Sequence, residues 1–318
     1  MPTVSVALCT HNGAAHIQEQ VRSILAQSFG VVEIVLSDDA STDNTVELAA
    51  AAVAGSPVEL RVLRNATPLG VTRNFEQAIL ACTGELVALS DQDDSWHHDR
   101  IERGVSVFAD NPRLSLVHSD AVLVDASGVP LGATLFEALG IDRDAVRTIH
   151  DGGAFELLAR RNLVTGATAM LRRSLAVDCA PFPTGWVHDE WLAIVAAARG
   201  ELDVIAEPLV DYRQHGSNEI GAQKLSVVAK FSRMVEPGAA RSERLLARAT
   251  SLVDRLPALA PDRASAVAEK LEHERVRSSL GRSRFTRISP VLRELRTGRY
   301  SAFGRGAADA VRDLLQPL

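Results

Sequence analysis

The first 90 residues carry four short runs of β-branched and aliphatic residues, and polar turns and segments with helical periodicity separate them. This alternation is typical of parallel strands joined by crossover helices, since a parallel strand needs a long connection back to the same end of its neighbour. It predicts an α/β fold with a Rossmann-like, nucleotide-binding half. The runs are VSVAL at 4–8, EIVLS at 33–37, VELRVL at 58–63 and ELVALS at 85–90, with helices predicted at about 14–26, 44–54 and 74–82.

The pattern changes after residue 113, where the predicted strands become longer and less regularly spaced. We expect them to extend the parallel strands into a mixed sheet with a second, antiparallel half. After about residue 222 the chain is helical and rich in arginine, which predicts a C-terminal helical appendage. The elements of the second half are strands at 114–125 and 163–173, a mixed insert at 129–152, a helix at about 187–198, and two short strands around Val204 and Val210.

These patterns predict the domain organisation. One domain spans 1–222, with halves at 1–113 and 114–222, and the helical, arginine-rich region spans 223–318.

The overall charge and the cysteine content exclude several classes of protein. The 318 residues have a formal net charge of −6, so a nucleic acid would have to bind a local basic patch, and we expect no such partner. Cys9, Cys82 and Cys179 lie far apart without a C-x-x-C pair, which argues against a zinc cluster or a disulfide framework. No run of about 18 apolar residues predicts a membrane span. We expect a cytoplasmic protein.

A cluster of carboxylates follows the fourth predicted strand. Asp91, Asp93 and Asp94 lie in the loop SDQDD, before a helix that we expect to begin near Asp99. Two carboxylates one residue apart in a turn can point to one side, and such oxygen ligands together with a diphosphate suit Mg²⁺ or Mn²⁺. The same residues would also favour the N-terminus of the next helix as capping groups. The local sequence favours the metal site and leaves the cap open.

A second acidic loop, SDDASTD, follows the second predicted strand. Asp38 and Asp39 can accept hydrogen bonds there from a ribose or a base edge, because ligands of open α/β sheets bind outside the carboxyl ends of the strands. The same two residues would equally suit an Asx-type turn. Both acidic loops, and CTHNG after the first strand, occupy the same end of the sheet. This shared position favours a common ligand.

These loops belong to a set of motifs through which residues 3–220 resemble the family 2 glycosyltransferases of the GT-A fold. The order and spacing of the motifs make the resemblance specific. It implies a GT-A fold, a nucleotide diphosphate sugar as donor, and a glycan or lipid-linked acceptor bound by the half at 114–222. The motifs are VSVALCTHNGAAHIQEQVRSILAQS, EIVLSDDASTDNT, PLGVTRNFEQAI, LVALSDQDDSW, VTGATAMLRR, HDEWLA and YRQHGSN.

The resemblance implies roles for individual residues of these motifs. Asp91 and Asp93 match the D-x-D pair that holds Mg²⁺ or Mn²⁺ on the donor diphosphate, where the metal neutralises charge on the leaving group. Arg73 is implied to approach the ribose or diphosphate, although an arginine at a helix start is commonly only solvated. The implied nucleotide-binding residues are Thr10, His11, Asn12, Asp38, Asp39, Arg73 and Gln92, with Asp39 on the base.

The resemblance also implies that Asp189, in HDEWLA, is the general base of an inverting transfer. Such a transfer needs a carboxylate that takes the proton of the acceptor hydroxyl while its oxygen attacks C1 opposite the departing diphosphate. His188 and Glu190 are alternatives, and Asp189 would also serve as a plain helix cap. His215, in YRQHGSN, is a candidate contact to the diphosphate or the metal, with a surface position as the alternative.

The motifs SDQDDSW, HDEWLA and YRQHGSN are similar to those of the subgroup that transfers rhamnose from dTDP-rhamnose in polysaccharide or cell-wall assembly. A UDP-hexose or UDP-N-acetylhexosamine donor stays open, because the side chains around the sugar ring decide the donor. A catalytically inactive nucleotide-sugar-binding module is the alternative of another class. Such a module would have no need of both the carboxylate pair and Asp189.

The segment at 275–305 carries nine arginines among scattered apolar residues and a single acid, Glu294. A basic amphipathic stretch of this kind suits an anionic membrane surface, which would place the protein at the inner face of the cell membrane. Its arginines would equally cover the apolar side of a solvated appendage or of a homo-oligomer contact. Peripheral membrane contact and homo-oligomerisation therefore both stay open.

Overall fold

A nine-stranded mixed sheet is the framework of the chain, whose computed structural model describes residues 1–214, 238–281 and 283–315. The strands are β1 (Val4–Thr10), β2 (Glu33–Asp38), β3 (Glu59–Arg64), β4 (Leu86–Ser90), β5 (Ser95–Trp96), β6 (Leu116–Val124), β7 (Pro130–Thr134), β8 (Ala169–Arg172) and β9 (Leu202–Arg213). Their order across the sheet is β3-β2-β1-β4-β8-β6-β9-β5, and β7 pairs with β6. The predicted α/β architecture with a mixed sheet is confirmed.

Helices cover the sheet and continue beyond it into the C-terminal region. Those of the first 200 residues are α1 (Ile17–Leu25), α2 (Thr45–Val53), α3 (Val71–Ala81), α4 (Arg100–Asp110), α5 (Leu135–Leu139), α6 (Arg143–His150), α7 (Ala154–Leu158), α8 (Arg173–Cys179) and α9 (His188–Arg199). Those after the gap are α10 (Gly238–Leu259), α11 (Ala264–Ser278), α12 (Arg284–Arg296), α13 (Arg299–Phe303) and α14 (Ala307–Leu315).

The parallel strands β3, β2, β1 and β4 form the predicted Rossmann-like half. Their register aligns the carboxyl ends, since Thr10 of β1 lies beside Asp38 of β2, and Leu8 of β1 lies beside Ser90 of β4. Every residue of β1, β2 and β4 is buried, as expected for parallel strands covered on both faces. The loops after these three strands therefore meet at one edge of the sheet.

The second half differs from the prediction in three respects. It is only partly antiparallel, because β6 pairs antiparallel with β7 and β8 but parallel with β9. The two short strands predicted around Val204 and Val210 are one strand, β9, which follows β6 along its length. The register shifts where Asp120 of β6 meets Pro208 of β9. A proline has no N–H to donate to the ladder, so the sequence predicts that the strand ends at Pro208. In the structure the strand continues past Pro208 with a shift in register.

The predicted strand at 163–173 is also shorter in the structure. Only Ala169–Arg172 is extended, and a short 3₁₀ turn occupies Gly166–Thr168. A Cβ atom on Gly166 would lie 2.7 Å from Nε2 of His188, so this turn packs closely against the first turn of α9. The turn thereby brings backbone N–H groups to the start of α9.

The C-terminal helices share the main hydrophobic core instead of standing apart from it. Leu252 and Leu256 of α10 and Val267 of α11 belong to the same buried cluster as Trp191 of α9. A smaller separate cluster, which contains Val291 and Tyr300, holds the last helices together. Within the described residues, no helix is both long enough and apolar enough to cross a membrane.

Candidate active site

The acidic loop after β4 concentrates negative charge at the edge where the parallel strands end. Burial, with the charges of Asp93 and Asp189, raises the pKa of Asp91 to about 7. Burial, with the charges of Asp93 and Asp91, also raises the pKa of Asp94. The phenol of Tyr212 faces the same group, since burial and then these four carboxylates raise its pKa. Burial and the mutual repulsion of the carboxylates therefore disfavour their ionised forms, and a bound cation would offset both effects.

The capping interpretation of this loop does not agree with the structure. Strand β5 separates the loop from α4, which begins at Arg100, and the residue at its N-cap is Asp99. Asp94 instead accepts a 3.0 Å hydrogen bond from the backbone N–H of Arg213 at the end of β9. The carboxylates thus belong to the edge of the sheet and not to the helix.

A buried arginine lies beneath the loop. The guanidinium of Arg100 stacks on the ring of Trp96 at 3.7 Å and donates to the backbone carbonyl oxygen of Leu89. Burial lowers the pKa of Arg100 to about 9, and the charges of Asp94 and Asp91 oppose this effect. One guanidinium offsets part of the negative charge of the loop.

The donor set fits a hard divalent cation. Asp91 and Asp93 offer oxygen ligands at the partly exposed side of the loop, and the residual negative charge favours a cation. Within 1–214, 238–281 and 283–315, no three His, Cys, Asp or Glu side chains form a complete metal cluster. A bound ion would therefore need further oxygens from water or from a diphosphate, as is usual for Mg²⁺.

Arg213, at the end of β9, connects the acidic loop to α1 and to the turn after β6. Its Nε donates at 2.7 Å to the backbone carbonyl oxygen of Asp93, and its two Nη atoms reach the carboxylate of Glu19 on α1 and the carbonyl oxygen of Ala126. The side chain is 3% exposed although it carries a charge. The candidate His215 lies outside the described residues, two positions after this anchor.

Asp38 has a structural role in the loop after β2. Its carboxylate accepts hydrogen bonds from the hydroxyl of Thr10, and from the backbone N–H and hydroxyl of Ser41. These contacts are those of an Asx-type turn, one of the two alternatives that the sequence leaves open. Thr10 and Asp38 are therefore bound to each other beneath the loop.

The carboxylate of Asp39 also accepts hydrogen bonds, but one of its acceptor positions is left for a further donor. One carboxylate oxygen accepts from the side chain of Asn65 at 3.0 Å and from the backbone N–H of Leu69 at 2.7 Å. Among the described residues, the other oxygen accepts only from the backbone N–H of Gly70, at 2.9 Å. Because an ionised carboxylate has about four acceptor positions, Asp39 has room for one more donor.

The loop after β1 is held in a specific conformation by Gln92. The amide of Gln92 accepts from the backbone N–H of His11 at 2.8 Å and donates to the carbonyl oxygen of His11 at 3.0 Å. Asn12 has a φ of 50°, and its side chain accepts from the backbone N–H of Thr42. A Cβ atom on Gly13 would lie 2.2 Å from Oε1 of Gln92, so a larger residue here would force the Gln92 side chain to move. Gln92 thus links the β1 loop directly to the acidic loop.

Arg73 lies in the first turn of α3 and is half-exposed. Its guanidinium forms an ion pair with the carboxylate of Glu76 on the same helix. The other oxygen of Glu76 accepts from the backbone N–H of Phe182 at 2.9 Å. In the structure Arg73 therefore contacts its own helix rather than the acidic loop.

Asp189 lies in the first turn of α9 and faces the acidic loop. Its two oxygens accept from the backbone N–H of Gly166 at 2.8 Å and from that of Glu190 at 2.7 Å. Burial raises the pKa of Asp189 to about 6 despite these hydrogen bonds. The charge of Asp189 is in turn one cause of the raised pKa of Asp91. Two carboxylates with raised pKa values therefore share the site.

The two neighbours of Asp189 have other contacts. The ring of His188 stacks on Phe75 with 3.9 Å between the ring centroids, and burial lowers its pKa to about 3. Glu190 forms an ion pair of 2.8 Å with Arg248 of α10. A buried imidazole with so low a pKa is a weak base, and Glu190 is engaged by the arginine.

A family model identifies the class of protein to which this fold belongs. Residues 5–176 match the model described as Glycosyl transferase family 2. The match covers more than half of the 318 residues. This chain belongs to glycosyl transferase family 2.

Several relatives share about a quarter of their residues with the chain. The dTDP-rhamnosyl transferase RfbG of Shigella flexneri is 26% identical over 240 residues, which cover 71% of this chain and 78% of that protein. An uncharacterised glycosyltransferase of Nostoc sp. is 25% identical over 217 residues, which cover 68% of this chain and 66% of the relative. The chain spans 59% of the length of a similar uncharacterised protein of Mycobacterium tuberculosis.

Solved structures with the same fold cover nearly all of the chain. Staphylococcus aureus TarS 1-349, in complex with UDP-GlcNAc, has a TM-score of 0.60 at 15% identity and covers 98% of this chain and 90% of its own. The mannosyltransferase PcManGT of Pyrobaculum calidifontis, in complex with GDP-Man and Mn²⁺, has a TM-score of 0.53 at 18% identity. The match covers 98% of this chain and 79% of the mannosyltransferase. The GT-A fold that the motifs predict is confirmed.

Three arginines of this site do not follow from the sequence reasoning. Arg100 follows the acidic loop, Arg213 belongs to the motif YRQHGSN, and Arg248 lies in the C-terminal region. For Arg213 the sequence offers one signal, which is its position in the motif YRQHGSN beside the candidate His215. For Arg100 and Arg248 no local signal exists, because only the fold brings them to the carboxylates.

Proposed function

We propose that this family 2 glycosyltransferase is a metal-dependent, inverting enzyme that uses a nucleotide diphosphate sugar as donor. The observation that supports this most directly is the position of Asp189 opposite the acidic loop of Asp91 and Asp93. Besides burial, the charges of Asp93 and Asp189 raise the pKa of Asp91, so the proposed base lies close enough to the proposed metal ligands to interact with them.

The donor would lie along the edge where β1, β2 and β4 end. The base would donate an N–H to the acceptor position that remains on Asp39, and the loop Thr10–Asn12 would line the nucleotide. Asp38 and Gln92 would act indirectly in this arrangement, because they hold the two loops that form the walls. Arg73 would have to leave Glu76 before it could reach the ribose or the diphosphate.

Asp91 and Asp93 would hold Mg²⁺ or Mn²⁺, which supplies Lewis-acid neutralisation of the charge that develops on the leaving diphosphate. Arg213 and Gln92 fix the backbone on which these two carboxylates lie. The buried Arg100 keeps a positive charge beneath them. His215 is a candidate for a further contact to the diphosphate or the metal, since the chain reaches the acidic loop at Arg213.

Asp189 would act as the general base. Its oxygens accept backbone hydrogen bonds from Gly166 and Glu190, and a carboxylate with about four acceptor positions can still take the proton of the acceptor hydroxyl. The oxygen of that hydroxyl forms the bond to C1 as the bond from C1 to the diphosphate breaks on the opposite face. A pKa of about 6 suits a base that works near neutral pH.

We propose rhamnose from dTDP-rhamnose as the donor and a glycan or lipid-linked glycan of polysaccharide or cell-wall biosynthesis as the acceptor. The relative that supports this choice is the dTDP-rhamnosyl transferase of Shigella flexneri, at 26% identity. UDP-hexose and UDP-N-acetylhexosamine are the alternative donors. An inactive nucleotide-sugar-binding module is the alternative of another class.

A donor comparison tests this function. The protein is incubated with Mn²⁺, a panel of aryl glycoside acceptors, and either dTDP-rhamnose, UDP-glucose or UDP-N-acetylglucosamine. Release of nucleoside diphosphate is measured by chromatography, and the product anomer by NMR. We expect dTDP release with inversion at C1. Release of UDP alone would establish the alternative donors, and retention at C1 would contradict the role of Asp189. Nucleotide binding without release would indicate an inactive module.

A further inference from the structure

Large apolar side chains are exposed on one face of helix α12. Phe285 is 85% exposed, and Ile288, Leu292 and Leu295 are each exposed by more than a third. At about 100° per residue these four side chains fall within about 80° of one another around the helix axis. They form a continuous stripe, which we call the α12 stripe.

Arginines border the α12 stripe on both sides. By the same helical rotation Arg284 lies beside one edge of the stripe, and Arg293 and Arg296 lie beside the other. All three arginines are exposed. The acid in this helix, Glu294, is on the opposite side, where it is buried and bound to the imidazole of His273 at 2.7 Å. The exposed surface of α12 is therefore apolar in the middle and positive at both edges.

The part of α12 outside the stripe is fixed to the rest of the protein. Val291 is fully buried, and the guanidinium of Arg287 donates to the carbonyl oxygens of Gly281 and Asp313 at 2.6 and 3.1 Å. The helix therefore presents its stripe from a folded support and does not need to fold upon binding. Such a support lowers the entropic cost of binding a surface.

We propose that the α12 stripe docks this protein on an anionic lipid bilayer. A helix that combines an apolar face with basic residues at its borders lies in the interface of a membrane, with its apolar side chains among the acyl chains and its cations near the lipid phosphates. A second copy of this chain fits less well. A symmetric contact across the stripe would bring the same arginines of both copies together, where like charges repel.

The docking proposal does not depend on the proposed function, because vesicle binding can be measured without turnover.

Co-sedimentation with vesicles tests the proposal on the full chain. One set of vesicles contains equal parts of phosphatidylglycerol and phosphatidylcholine, and the other contains phosphatidylcholine alone. One variant carries Phe285→Ser and Ile288→Ser, and a second carries Arg284→Gln, Arg293→Gln and Arg296→Gln. Val177→Ser, and the triple change Arg22→Gln, Arg113→Gln and Arg143→Gln, are matched controls on other exposed positions. Circular dichroism verifies that each variant is folded.

We expect wild type and both controls to bind the anionic vesicles at least about tenfold more strongly than the neutral ones, with binding that weakens as salt is added. Both α12 variants should lose this preference. Equal binding to both vesicles, or unchanged binding by the α12 variants, would overturn the proposal. Self-association is measured by sedimentation velocity. If wild type self-associates but does not bind vesicles, and the α12 variants do not self-associate, the stripe is a contact between copies and the proposal is wrong.

Discussion

The side chain of Arg213 donates from Nε to the backbone carbonyl oxygen of Asp93 at 2.7 Å, across 120 positions of the sequence. The backbone N–H of Arg213 also binds the carboxylate of Asp94. The end of β9 thereby fixes the loop that carries the proposed metal ligands. In the proposed metal site, this contact would keep Asp93 in a defined position.

Replacing Arg213 should therefore weaken metal use. Arg213→Lys retains the charge but loses the fork of donors that reaches Asp93, Glu19 and Ala126 together. We expect the Mn²⁺ concentration for half-maximal activity to rise about 10- to 100-fold, as for other groups that orient metal ligands. Activity is measured against Mn²⁺ concentration, with Arg103→Lys on the exposed surface of α4 as control. An unchanged Mn²⁺ requirement would show that Arg213 does not position the loop.

The pH dependence of turnover should report the ionisation of Asp189. Because burial raises the pKa of this carboxyl to about 6, it is protonated and cannot accept a proton at lower pH. It is ionised above that value. We expect kcat/KM to rise with pH through a midpoint near 6 and then to reach a plateau. A profile that stays flat between pH 5 and about 7 would contradict a carboxylate base with a raised pKa.

Removing the carboxylate of Asp189 should abolish most activity without unfolding the protein. Asp189→Asn keeps the size of the side chain but cannot take the proton, and we expect kcat to fall about 10²- to 10⁴-fold. Glu190→Gln is the matched control on the neighbouring residue, which binds Arg248 instead. It should retain much more activity than Asp189→Asn. Equal losses in both variants would indicate that the first turn of α9 acts only as a structural unit.

The contact between Gly13 and Gln92 predicts a coupled effect on stability. In Gly13→Ala the new Cβ would displace the Gln92 amide and break its two hydrogen bonds to His11. We expect the free energy of unfolding to fall by about 1–2 kcal/mol. In a Gln92→Ala background the same change should cost much less, because the hydrogen bonds are already absent. Urea unfolding of wild type, both single variants and the double variant gives the four free energies of unfolding. If the losses in the two single variants simply add in the double variant, the contact between Gly13 and Gln92 is not their cause.

The parallel half of the fold was predictable because its signals are local. Each strand of that half is a short apolar run followed by a polar turn, so the periodicity alone identifies it. The strand β9 was predicted as two strands because Pro208 interrupts its pattern, whereas the pairing with β6 continues past that residue. That pairing is a long-range contact, and nothing in the local sequence reports it.

The same distinction applies to the site. Asp91, Asp93 and Asp189 could be selected from the sequence because they lie in motifs of the resembled family, and their roles stay predictions. The sequence could not predict which of Asp38 and Asp39 completes the turn and which can bind a ligand, because both residues lie in the same loop. The structure separates them by their partners: Asp38 binds Thr10 and Ser41 and completes a turn, whereas Asp39 keeps one acceptor position open.

The most direct test of the account is calorimetric titration of dTDP into the wild-type protein and Asp93→Asn, each with and without Mn²⁺. UDP serves as the comparison nucleotide, and Asp110→Asn on the exposed end of α4 serves as the control variant. We predict that Mn²⁺ strengthens nucleotide binding by wild type and by the control but not by Asp93→Asn. Binding that is independent of Mn²⁺ in wild type, or equally strengthened by Mn²⁺ in Asp93→Asn, would contradict the proposed metal site.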